Sequence, residues 1–103
     1  MYIKIHKSYR NVVALCDSDL LGKIFEEPIS EQSIKQLDVR ENFYKGDEID
    51  AKKALEILKS QTKEDSTFNI VGSESINTAL EAGIIDEKSI GKIHGVPYAL
   101  VLL

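Results

Sequence analysis

The sequence is poor in the residues from which enzymes and metal sites are most often built. It has one cysteine, Cys16, and two histidines, His6 and His94, in 103 residues. One thiol excludes an internal disulfide and fits a reducing compartment. Two distant histidines and a lone cysteine give no structural zinc spacing, so no metal is expected; a cluster of His6, Cys16 and Asp17 is the weak exception. Neither the phosphate-binding loop G-x-x-x-x-G-K-[ST] nor the dinucleotide fingerprint G-x-G-x-x-G occurs, so no cofactor is expected either. No apolar run approaches the ~20 residues that cross a membrane. The N-terminus, Met1-Tyr2-Ile3-Lys4-Ile5-His6-Lys7, interrupts its apolar residues with charge where a signal peptide would not. A cytoplasmic chain without a membrane partner is the expectation.

What is present is an ordinary globular composition, 43% hydrophobic and 29% charged, which excludes disordered and fibrous classes. The length and the lack of repeats predict one domain over residues 1–103. The net charge of −4 argues against broad non-specific binding to nucleic acid. The charge is uneven, however. Lys4, Lys7, Arg10 and Lys23 outnumber Asp17 and Asp19 in the first 25 residues, whereas the other 78 residues carry nine basic and fifteen acidic side chains. This makes an N-terminal basic face, or simply a wetted outer sheet face, the two readings of these lysines.

Periodicity predicts an α+β fold: a small mixed sheet, built from an N-terminal hairpin and later strands, with two main helices. Residues 2–7 alternate as a strand, 8–11 turn, and the β-branched run Val12–Cys16 returns. Asp17 reads as the N-cap of a helical turn that leaves through Gly22. Residues 23–26 form a short strand that Pro28 stops, and 33–39 form another. After a polar loop, Asp50 caps a helix to Gln61 with Ala51, Ala54, Leu55 and Leu58 on one face. Phe68–Val71 is a strand; Gly72 turns into a helix capped by Ser73 and stopped by Gly83. Asp86 caps a last turn, 93–97 bend, and 98–102, apolar on both faces, form a central strand.

Three places carry the chemistry that can be read. Cys16 stands beside Asp17 and Asp19, which oppose thiolate formation, so an inert half-buried cysteine is the simpler reading. Asp17 and Asp19 are a carboxylate pair, but a capping Asp17 is occupied by backbone amides. Asn69-Ile70-Val71-Gly72-Ser73-Glu74 leads a strand through glycine into a helix N-terminus, a generic anion site that Glu74 opposes. Gly95-Val96-Pro97-Tyr98 is a compact bend in which Tyr98 either packs on the sheet or stacks on a partner.

Taken in order, Val13-Ala14-Leu15-Cys16-Asp17, Leu20-Leu21-Gly22-Lys23 with Phe25, Phe43-Tyr44 before Gly46, Asn69-Ile70-Val71-Gly72 and Gly95-Val96-Pro97 resemble the archaeal family catalogued as domain of unknown function number 424. The resemblance spans nearly the whole chain. It implies an archaeal cytosolic protein, without an established activity, in the setting of translation or RNA handling. Tyr98 and Leu100 stand where the family commonly has histidine and glutamine, and Ser73 where it has an acid, which weakens an enzymatic reading.

The first expectation is therefore a small binding protein for RNA or a ribonucleoprotein, with Lys4, His6, Lys7, Arg10 and Lys23 as its surface and Cys16, Asp17, Gly95, Pro97 and Tyr98 nearby. The alternative is a small-ligand protein or enzyme using Asn69, Gly72 and the rest of that turn for an anion or nucleotide. A purely structural subunit that dimerises through a sheet edge is the third.

Overall fold

The computed structural model describes residues 1–102. The hairpin forms as its alternation requires. β1 (Tyr2–His6) pairs antiparallel with β2 (Val12–Cys16), placing Ile3 opposite Leu15 and Ile5 opposite Val13 on one face. A 3-10 turn over Ser18–Leu20 leads to β3 (Ile24–Ser30) and β4 (Ser33–Asp38). There follow α1 (Glu41–Tyr44), β5 (Asp47–Glu48), α2 (Ala51–Thr62), β6 (Thr67–Val71) and α3 (Ser73–Ala82). A second 3-10 turn, Glu87–Ser89, precedes β7 (Gly91–Ile93) and β8 (Val96–Val101).

The fold is α+β, with a six-stranded mixed sheet in the order β5-β1-β2-β6-β8-β7 and a two-stranded sheet of β3 and β4. β2 and β6 are parallel; every other pair is antiparallel. β8 is hydrogen-bonded on both sides, to β6 and β7; Ala99 is buried on one of its faces, while Leu100 on the other is largely exposed.

Each face of the large sheet has its own core. On one, Ile3, Val13, Leu15, Phe68, Ile70 and Ala99 pack under Ala54 and Leu58 of α2 and Ile76 and Ala79 of α3. On the other, Ala14, Cys16 and Val71 lie beneath Val39 and Tyr44, flanked by Phe25, Leu37, Phe43 and Tyr98. Fully burying one side chain such as Phe68 stabilises the fold by about 2–3 kcal/mol.

Caps that need only near neighbours are as the sequence predicts. Asp50 accepts from Lys53 N at 2.8 Å, and Asp86 accepts from both Ser89 N and Ser89 Oγ. Gly83 ends α3 in the left-handed conformation.

Six expectations are corrected. β3 runs through Pro28 to Ser30, because in a two-stranded ribbon each strand keeps one edge free of hydrogen bonds, where proline's missing donor costs nothing. Residues 33–38 pair with that strand and not with the large sheet. The 40–47 loop contains a helical turn, and the 93–97 bend is the turn of a β7–β8 hairpin. The α3 N-cap is Gly72, not Ser73. Asp17 flanks its 3-10 turn without a side-chain cap, because its carboxylate points elsewhere.

Candidate functional site

β2 and β6 run parallel, so their carboxyl ends, Cys16-Asp17 and Val71-Gly72, emerge side by side where α3 begins. In open α/β sheets such an end is the usual ligand position. Two backbone bonds continue the sheet here: Asp17 N donates to Val71 O at 3.0 Å, and Gly72 N to Pro97 O at 2.8 Å. The Gly95–Pro97 bend is thereby drawn against the same end. Asp17, Asp19, Leu20, Gly72, Ser73, Gly95, Val96 and Pro97 line a cleft of about 120 Å³.

Two amides in the first turn of α3 are already occupied. Asp17 Oδ2 accepts from Glu74 N at 3.1 Å, and Oδ1 accepts from Ser75 N and Ser75 Oγ, both at 2.8 Å. Asp17 is buried, and its carboxylate stands in for the anion that the first turn of α3 would otherwise hold. The remaining volume is well below the ~300 Å³ at which small-molecule pockets begin. An open groove of about 330 Å³ adjoins it past Ser73 and Pro97, lined by Ile76, Leu80 and Ile90 together with Asn77, Glu87 and Lys92.

Cys16 is wholly buried at the foot of this arrangement. Burial, reinforced by Asp17 and Asp19, pushes its thiol up from 9.0 to about 11. Tyr44, packed beside it, is pushed up from 10.0 to about 12, also mainly by burial. Neither group is set for nucleophilic or acid–base work near neutral pH. No group of three or more His, Cys, Asp or Glu side chains among the described residues could hold a metal ion.

The residues singled out from the sequence fall into separate groups. Asp17, Gly72, Gly95 and Pro97 converge on the cleft, with Cys16 behind them. Tyr98 packs on the second core, its ring edge against Gly91 and Lys35 Nζ 5.0 Å from its centre. Asn69 is two residues short of the cleft, half-buried on the face shared with Ala14 and Leu100. Lys23 lies beyond the 3-10 turn, its backbone tied to Leu20 and Val39.

His6, Lys7 and Arg10 belong to the other end of the hairpin, and Lys4 lies midway along it, opposite Ala14. β2 spans five residues, so its ends are about 13 Å apart. Lys4 Nζ donates to Asn42 O at 2.9 Å. His6 stacks on Phe43 with ring centres 4.7 Å apart, and its Nε2 bonds Phe43 O at 2.8 Å, which places the ring proton on Nε2. Beyond them the 7–10 turn exposes Lys7, Tyr9 and Arg10, with Tyr9 entirely in solvent. Tyr9 is the residue that sequence reasoning passed over. The signal was its place between two cations at the point where alternation stops.

Comparison with known proteins adds a family. The model described as Protein of unknown function (DUF424) matches residues 6–103. The chain belongs to this family. That match takes in both ends of the hairpin from His6 onward and the whole Asp17–Gly72–Pro97 cleft. A solved structure from Methanopyrus kandleri, described as an uncharacterized conserved protein, is similar to it at 26% identity and a TM-score of 0.79, over 97% of this chain and 88% of that one. No curated protein matches the chain. Among the described residues, no helix is long and apolar enough to cross a membrane.

Proposed function

We propose that this DUF424 chain is a non-enzymatic binding protein of the archaeal cytoplasm, placed in translation or RNA handling, that takes single-stranded RNA at the tip of the β1–β2 hairpin. One observation carries the reading: Tyr9 stands fully exposed between Lys7 and Arg10, with Lys4 and the His6–Phe43 stack leading up to it. An exposed aromatic ring flanked by cations suits an unpaired base and its phosphates. The tip is small, and the neighbouring turn carries Glu64 and Asp65 as well as Lys63. Binding is therefore local, of a few nucleotides, rather than along a basic groove.

The ligand-binding alternative has weaker support, because Asp17 fills the α3 N-terminus on which it depended. The test is fluorescence anisotropy with a labelled twelve-nucleotide single-stranded RNA, alongside co-sedimentation with ribosomal particles at low salt. The reading expects saturable binding that Tyr9→Ala and Lys7→Glu each weaken. Absence of binding by the native chain, or equal binding by both variants, rejects it.

A further inference from the structure

We infer that the outer face of the β3–β4 hairpin is a docking surface for a basic protein segment that carries an apolar stripe. The inner face of this ribbon is fastened to the body. Phe25 and Leu37, paired across the ladder, pack on the second core. Lys35 Nζ donates to Lys92 O at 2.8 Å, and His94 Nε2 bonds the Glu26 carbonyl.

Among the described residues, the outer face has no such neighbour. Pro28 lies opposite Ile34, and Ile29 stands where the register shifts between Pro28 and Ser30. Ile29 is 68% exposed and Ile34 65% exposed, and Ile24 further along the same ribbon is 57% exposed. Single exposed aliphatics are ordinary, but a proline and two isoleucines gathered at one hairpin end are not. The ladder itself does not require them, since polar β-formers would hold the same pairing.

The charges around this patch select its occupant. Glu26 lies on the outer face opposite Gln36 and Glu31 lies at the hairpin's turn, whereas Glu27 shares the inner face with Lys35, the hairpin's single cation, which is turned onto Lys92 O and the Tyr98 ring. Carboxylates within a Debye length of the patch repel nucleic acid, and would repel the same patch on a second copy of this chain. They attract lysine and arginine at the rim of an apolar contact. The inference does not depend on the RNA reading, since the β1–β2 tip carries none of these residues.

The probe is a fluorescein-labelled eighteen-residue amphipathic helix of leucine and lysine, with a control in which glutamate replaces every lysine. Both are titrated against the full chain at low salt. The lysine peptide is expected to bind saturably, and the glutamate peptide at least tenfold more weakly. Ile29→Ser/Ile34→Ser is expected to weaken the lysine peptide at least tenfold, as is Glu26→Lys/Glu31→Lys. Lys7→Glu is expected to leave it unchanged. If the serine variant does not fold by circular dichroism, the lysine variant decides alone. No saturable binding, equal binding of the two peptides, equal binding by the variants, or a native dimer in sedimentation that Ile29→Ser/Ile34→Ser dissolves would each overturn the inference.

Discussion

The carboxyl carbon of Asp17 lies 2.2 Å from where a Cβ on Gly72 would fall. Gly72 also has φ +105°, a conformation that side-chain-bearing residues rarely adopt. The two residues are thus one device: the glycine makes room for a carboxylate that comes from another strand to cap α3.

Gly72→Ala is expected to destabilise the protein by about 3 kcal/mol or more, from strain and overlap together. Asp17→Ala is expected to cost about 2–3 kcal/mol, by freeing the α3 amides and leaving the buried Ser75 hydroxyl without its acceptor. In the double variant the overlap with the Asp17 side chain is gone, so its cost should be less than the sum. Urea unfolding of the four proteins measures all three quantities.

Alkaline pH should weaken the fold in a defined window. Cys16 ionises near 9.0 when unfolded but near 11 when folded, so the folded state holds the proton longer. The stability it contributes is complete below pH 9 and declines as pH rises towards 11. Tyr44 adds a second decline between 10 and about 12. Each group gives a slope of about 1.4 kcal/mol per pH unit within its window. Denaturant midpoints from pH 8 to 11 test this, and Cys16→Ala should remove the earlier decline. A midpoint flat across that range would contradict it.

Gly46 is held where a Cβ would lie 2.1 Å from the Ile3 carbonyl oxygen. Gly46→Ala is expected to push β5 off β1 and cost about 1–3 kcal/mol. Faster hydrogen exchange at the Ile49 amide, which donates to Met1 O, should report the loss.

For RNA, Tyr9→Ala should lower affinity by about 1–3 kcal/mol, the worth of one stacked base. Lys4, Lys7 and Arg10 facing three phosphates predict a slope of log K against log salt of about −2. A salt-independent affinity would mean that the cations are not engaged.

The features legible in the sequence were those decided within a few residues. Asp50 and Asp86 could be read as caps because their partners, Lys53 and Ser89, are three positions away. The 2–6 and 12–16 strands could be read because alternation and β-branching coincide there. Asp17 was misread because its partners, Glu74 and Ser75, are 57 and 58 residues distant, while a 3-10 turn directly after it mimics a local cap. Pro28 hides the full length of the strand 24–30, because proline interrupts an interior strand but not the free edge of a two-stranded ribbon. α1 and β7 were missed because four- and three-residue elements are held by tertiary contact, not propensity. At the cleft, the residue types are visible, but only the parallel β2–β6 pairing shows that Asp17 and Gly72 meet, and only the β6–β8 pairing brings Pro97 to them.

That parallel pairing also dictates the order in which this chain can assemble. A parallel neighbour cannot be supplied by a tight turn, and Val12 must wait for Thr67, on the far side of α2, before the middle of the sheet exists. The β1–β2 hairpin, made first during synthesis, has only the two-residue β5 and the helix α2 to hold it until then. Closing that long loop is the kind of non-local contact that slows folding, and any product truncated before Thr67 leaves Val13 and Leu15 without their β6 neighbours Phe68 and Ile70.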